Sequence, residues 1–85
     1  MYAYITLRNL SSYPVITIYI NDTLYFRDVI SDSNCKACPT GSVKITVLDN
    51  REKIIFDLYL PVKPLSSYIL EVYTDMCIFI QHDSS

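Results

Sequence analysis

The residues with the most chemistry in them are three cysteines and a lone histidine: Cys35, Cys38, Cys77 and His82. Together they form a Cys₃His set, the ligand type of a structural zinc site. Such a site needs all four donor atoms within about 2.0–2.3 Å of one ion. The spacing works against it. Residues 35 and 38 differ in parity, so in a regular strand they leave on opposite sides, about 10 Å apart. Residues 77 and 82 differ in parity too, and lie roughly 16 Å apart along a strand. A bend before Pro39 would rescue the first pair and leave the second badly placed. The simpler reading is small apolar core residues plus one exposed thiol. The four residues stand as the alternative reading, a small metal- or ligand-binding domain, and no metal or cofactor is expected.

Other catalytic arrangements fare worse. A redox Cys35-x-x-Cys38 pair needs a helix N-terminus to lower the first thiol's pKa. Here Pro39-Thr40-Gly41 and a strand pattern follow instead. A nucleophile–base pair would have to use His82, in a polar C-terminal stretch with nothing to hold it. Asp28, Asp32, Asp49, Asp57 and Asp75 fall mostly in or beside turns, where a carboxylate caps its own backbone, and no D-x-D-x-D-G calcium loop exists. A single glycine, Gly41, excludes a Gly-rich phosphate cradle. The expectation is a protein without catalytic residues.

The eight tyrosines leave two readings open. Tyr2, Tyr4, Tyr19, Tyr59 and Tyr73 share parity with the polar positions of their strands. Exposed aromatic surface often marks an interface. Tyrosine also lines half-exposed strand positions with its hydroxyl in water. Carbohydrate stacking would favour tryptophan, and there is none.

These residues must be positioned by strands. Pro14 to Phe26 reads P-V-I-T-I-Y-I-N-D-T-L-Y-F. Two β-rich runs flank Asn21-Asp22, a pair that accepts the positive φ angles of a tight hairpin. Ile16, Ile18 and Ile20 share one parity and make an apolar stripe. Before the hairpin, Tyr2 to Arg8 alternates with Ala3, Ile5 and Leu7 on one face. After it, Thr23 to about Ile30 is a strand, Ser31 to Asn34 a turn, and Asn34 to Cys38 a short strand. Pro39-Thr40-Gly41 is a turn at which a Cβ on Gly41 is expected not to fit. Val43 to Leu48 turns Val43, Ile45 and Val47 inward. Lys53 to Leu60 turns Ile54, Phe56, Leu58 and Leu60 inward. Pro61 and Pro64 bracket a stiff crossing. Tyr68 to Tyr73 and Met76 to Gln81 form a last hairpin around Thr74-Asp75, and its closing strand carries no charge between 76 and 80. That strand invites a partner if it lies on an edge and is core if central.

No window of eleven residues or more keeps a helical period. Seven to eight short strands at near-regular spacing predict an all-β, immunoglobulin-like or transthyretin-like antiparallel β-sandwich. Residues 1–80 are read as one domain and 81–85 as a polar tail. A chain of 85 residues has room for a single core. It buries roughly 60–65% of its unfolded surface, a thin margin that a 51% hydrophobic composition answers. A net charge of −2, with seven scattered basic residues, gives no footprint for nucleic acid. No segment approaches the ~20 apolar residues of a membrane helix. The opening M-Y-A-Y-I-T-L-R lacks the parts of a signal peptide, so the cytoplasm is the expected default. The odd cysteine count argues against a secreted disulfide scaffold.

The order of these signals resembles a family of small bacterial β-sandwich domains of unknown function. Its pieces correspond here to the turn Arg8-Asn9-Leu10-Ser11-Ser12, the hairpin strand Ile16-Thr17-Ile18-Tyr19-Ile20-Asn21, the turn Pro39-Thr40-Gly41 and the strand Val43-Lys44-Ile45-Thr46-Val47. The chain departs from the family pattern at Thr17, where Asp is usual, and at Asp22, where Gly is usual. It departs again at Cys35 and Cys38. The resemblance implies a sandwich fold, supplies no catalytic residues, and suggests the short, leaderless form of spore-forming bacteria.

The expected function is a non-enzymatic structural or protein-interaction module. It self-associates, as a homo-oligomer, through an outer sheet face or an edge strand. Tyr4, Tyr19, Tyr59, Tyr73, Ile78 and Ile80 are the interface candidates, and Cys35 the candidate cross-link between subunits. The partner is itself or another protein, with no nucleic acid and no membrane insertion, and spore or cell-envelope association is the expected setting.

Overall fold

The Asn21-Asp22 hairpin forms as its residue types demand. The computed structural model describes residues 2–82 and gives these two residues φ angles of 50° and 65°. Positive φ at both central positions matches the right-handed twist of the flanking strands. Those strands are β2 (Ile16–Ile20) and β3 (Thr23–Val29). Along β2 burial alternates strictly, and Ile16, Ile18 and Ile20 are all essentially inaccessible.

The remaining strands are β1 (Ala3–Asn9), β4 (Lys36–Cys38), β5 (Gly41–Leu48), β6 (Ile54–Val62), β7 (Ser67–Val72) and β8 (Cys77–Gln81). They make two four-stranded sheets, in the orders β4-β1-β7-β8 and β3-β2-β5-β6. The described residues contain no helix. The protein is an all-β sandwich with one core between the sheets. Ala3, Ile5 and Leu7 of β1 and Leu70 and Val72 of β7 supply one side. The β2 isoleucines and Val43, Ile45 and Val47 of β5 supply the other. Each fully buried aliphatic side chain contributes about 1.5–3 kcal/mol of transfer free energy.

Five of the six strand pairs are antiparallel, as expected of the sandwich. The sixth, β1 with β7, is parallel, from Tyr4↔Ser67 to Asn9↔Val72. Its cause is the path of the chain. After β1 the chain builds the whole of the other sheet, adding β4 to the first sheet on the way, then crosses back at 63–66 in the direction that lays β7 alongside β1. Tyr68 helps fix that crossing. Its ring is buried, its hydroxyl accepts the Lys63 N–H (2.8 Å), and it stacks on Phe79 at 4.5 Å.

Several local expectations change. Ile54 was expected inside and is 55% exposed. A register shift between Val47 and Leu48 inserts a residue into β6, so the inward parity of Phe56 does not reach Ile54. Pro61 lies inside β6, which runs on to Val62. An edge strand tolerates the missing donor, and β6 is an edge. Gly41 has φ +96°, but a Cβ there would meet nothing within 4 Å. The backbone angle, not crowding, selects glycine. The 31–33 segment does more than turn. Asn9 N–H donates to the Ser31 carbonyl (2.6 Å) and Ser33 N–H to the Leu7 carbonyl (2.9 Å), which extends the cover that β4 gives β1.

At the chain end, Gln81 belongs to β8 and the His82 N–H donates to the Ser67 carbonyl (2.6 Å). The sandwich therefore continues past residue 80. The rest of the expected tail, 83–85, lies outside the described residues.

Two substitutions test this account. Ile18→Ala, at a site with no exposure, is expected to cost about 2–5 kcal/mol in urea unfolding. Gly41→Ala is expected to cost about 1–3 kcal/mol through its positive φ alone. An unchanged urea midpoint in the Gly41 variant would mean that the backbone there relaxes freely.

Candidate functional site

The thiols and the imidazole are held apart by the strand order. Cys38 sits on β4 and Cys77 on β8, the two opposite edges of one sheet. Three strand spacings separate them across the sheet, roughly 14 Å, and the register offsets them by six residues, roughly 20 Å, along the strands. Cys38 points into the core, Cys35 is exposed in the loop before β4, and Cys77 is half-buried. His82 follows β8 at the far edge. Cys35 lies outside β4, so strand parity does not relate it to Cys38, and the two thiols take different environments. Among the described residues no group of three or more His, Cys, Asp or Glu side chains is placed to share a metal ion. Nor does a pocket open among them.

Burial also works against the thiolate form that a ligand or nucleophile needs. Desolvation raises the pKa of Cys38, with a smaller push from Cys35. Desolvation alone pushes Cys77 up to about 11.

Several carboxylates have structural duties. Asp49 caps its turn, accepting the N–H groups of Arg51 (2.8 Å) and Lys53 (3.0 Å). The Lys53 N–H is the main cause holding its carboxyl below the ordinary range. Asp57 accepts the Thr46 hydroxyl (2.9 Å), in mid-strand rather than in a turn. Asp32 and Glu71 both pair with Arg8. Asp28 takes a positive φ of 51° and donates its N–H to the Thr17 hydroxyl. A largely buried polar cluster surrounds Asn9. Its amide donates to the Tyr13 and Val29 carbonyls, and its carbonyl oxygen accepts from the N–H and hydroxyl of Ser11. It fastens the first turn to the end of β3.

The six interface candidates divide between two faces. Tyr4, Ile78 and Ile80 belong to the β4-β1-β7-β8 sheet and Tyr73 directly follows its β7, while Tyr19 and Tyr59 belong to the other. On the second sheet Tyr19 stands between Leu24 and Thr46, and Tyr59 stands beside Lys44. Lys44 in turn pairs with Asp22 (3.3 Å), so charge interrupts that surface. On the first sheet Tyr4 is 41% exposed and packs edge-on against Tyr2. The Tyr2 hydroxyl contact is the main cause raising the Tyr4 pKa. Tyr73 donates to Glu71 (3.1 Å) and joins the Arg8 ion pairs rather than standing free. Beside it, Ile69 of β7 pairs with Ile80 of β8, and Ile78 lies across from Glu71. Ile69, Ile78 and Ile80 therefore share the outer face at its β8 side.

The sheet order also decides the question left open for the closing strand, because β8 is an edge. The other three edges carry protection. β3 has two register shifts with Arg27 and Asp28. β4 is three residues long and contains Lys36. β6 contains Asp57 and Pro61. β8 reads Cys-Ile-Phe-Ile-Gln and contains none of these devices. The sequence displayed the bare strand and could not display its position. Ile69 and Leu24 escaped notice because each becomes part of an outer face only through its cross-strand neighbours.

No family model matches the chain, and no curated protein matches it.

The buried thiol gives a pH test. The folded pKa of Cys77, about 11, lies above its ordinary value of 9.0. Its contribution is therefore intact below pH 9 and is lost as pH rises through about 11. The urea midpoint is expected to fall across that window, and to fall less in Cys77→Ala than in the parent. Parallel curves for the two proteins would remove Cys77 as the cause.

Proposed function

We propose that the protein is a non-enzymatic structural or interaction module that associates with copies of itself. One observation carries this reading: β8 is an unprotected apolar edge next to Ile69, Ile78 and Ile80 on the adjoining outer face. Natural sheets blunt exposed edges, and this chain does so at three of four. An edge left bare is a site for strand addition, with backbone hydrogen bonds for affinity and side chains for register. The Cys35, Cys38, Cys77 and His82 set gains no support from a layout that spreads it across opposite edges.

The same proposal takes the chain as a short member of the bacterial sandwich family that its turns and hairpin resemble. Spore or cell-envelope association is its expected setting. Cys35, exposed and outside the core, is its candidate for covalent linkage between subunits. Tyr4 lies on the same outer face as Ile78 and Ile80, while Tyr19 and Tyr59 would serve only a second contact.

Size-exclusion chromatography with light scattering, with and without reductant, tests the reading. Association is expected in both conditions and to increase with concentration. A clean monomer at high concentration in both would overturn it. Elemental analysis tests the metal alternative: stoichiometric zinc in purified protein would overturn the reading in its favour.

A further inference from the structure

Resting on that self-association, we infer that β8 pairs antiparallel with β8 of a second copy about a two-fold axis at Phe79. Two four-stranded sheets become one eight-stranded sheet.

The hydrogen-bond register leads there. Tyr73 N–H donates to the Met76 carbonyl (2.8 Å) and His82 N–H to the Ser67 carbonyl (2.6 Å). Both are closely bonded pairs of the β7–β8 ladder. In an antiparallel ladder such pairs alternate, so Glu71–Ile78 and Ile69–Ile80 exchange bonds as well. The N–H and C=O groups of Cys77 and Phe79 then point away from β7, off the sheet. An incoming antiparallel strand meets them with Phe79 on the axis. Ile78 falls opposite the partner's Ile80 at a pair with no backbone bonds, where side chains approach most closely.

A second copy fits this edge for two reasons. Residues 76–81 carry no charge, so a two-fold sets no like charges against each other. The isoleucines are also self-complementary. The row of Ile69 and Ile80 continues into the partner's Ile78, making one apolar strip across the junction. The contact is isologous and closes at two copies, because the opposite edge, β4, is short and carries Lys36. A five-residue strand pair buries less than the ~1,200–2,000 Å² of a standard interface, so the dimer exchanges readily.

Cysteine pairing reads the register. In such a pair the Cα atoms lie about 4.5 Å apart, within disulfide range. Ile78→Cys and Ile80→Cys are prepared separately, each with Cys35→Ser, and mixed in a glutathione redox buffer. Mass spectrometry is expected to find residue 78 linked to the partner's residue 80, several-fold more in the mixture than either variant alone yields of any dimer. Ile80→Lys, at a position 39% exposed, is expected to be monomeric where the parent is dimeric, with the unfolding temperature that the parent shows when diluted to monomer. Dimers by light scattering without the 78–80 link, or an Ile80→Lys variant that still dimerises, overturn the β8 pairing and leave self-association standing. A parent that stays monomeric with no link overturns both.

Discussion

Everything in this molecule depends on two apolar stripes meeting face to face. The stripe of Ala3, Ile5 and Leu7 and that of Ile16, Ile18 and Ile20 lie in different sheets and are fully buried. Neither strand can hide its stripe alone, because a strand shows alternate side chains to both sides. In a chain of 85 residues no second core exists to compensate for a loss there. Polar groups are therefore confined to the rim, and the exceptions are satisfied. Among the described residues no buried side-chain nitrogen or oxygen lacks a partner.

That arrangement also explains why reactive groups do not converge among the described residues. A sandwich this thin leaves no interior volume once aliphatic side chains have filled it. Residues able to do chemistry must sit on the two outer faces, in loops or along the edges. The thiols illustrate this. Cys38 is taken into the core as a small hydrophobe, Cys77 is half-enclosed at one edge, and Cys35 is outside. The four sheet edges differ chiefly in how they are finished.

Sequence patterning reaches the strands well and their neighbours poorly. Alternation in β1, β2 and β5 identified the inward residues because each strand has one buried face. The Asn21-Asp22 turn was legible because residue type bears directly on φ, whereas at Gly41 the residue type flagged the position but the expected crowding was absent. Ile54 was misplaced because a bulge moves parity by one without leaving a mark in the residue types. The parallel β1–β7 pair was invisible for a different reason. Direction and adjacency of remote strands arise from the path of the chain, not from any local run. The same limit covers the candidate site. The Ile78 and Ile80 face could be read from parity, while the edge position of β8 and the company of Ile69 could not.

The β1–β7 ladder has a consequence for how the protein is made. Arg8 and Glu71, joined across it, are 63 residues apart in the chain. Contacts of such long range are slow to form, since the intervening loop must close first. A nascent chain emerging from the ribosome therefore presents its first strand long before the neighbour that completes it exists. The other sheet, whose four strands lie between residues 16 and 62, can assemble in the meantime. Synthesis order and sheet order are thus out of step, and β1, made before the other seven strands, waits for β7 to be sealed.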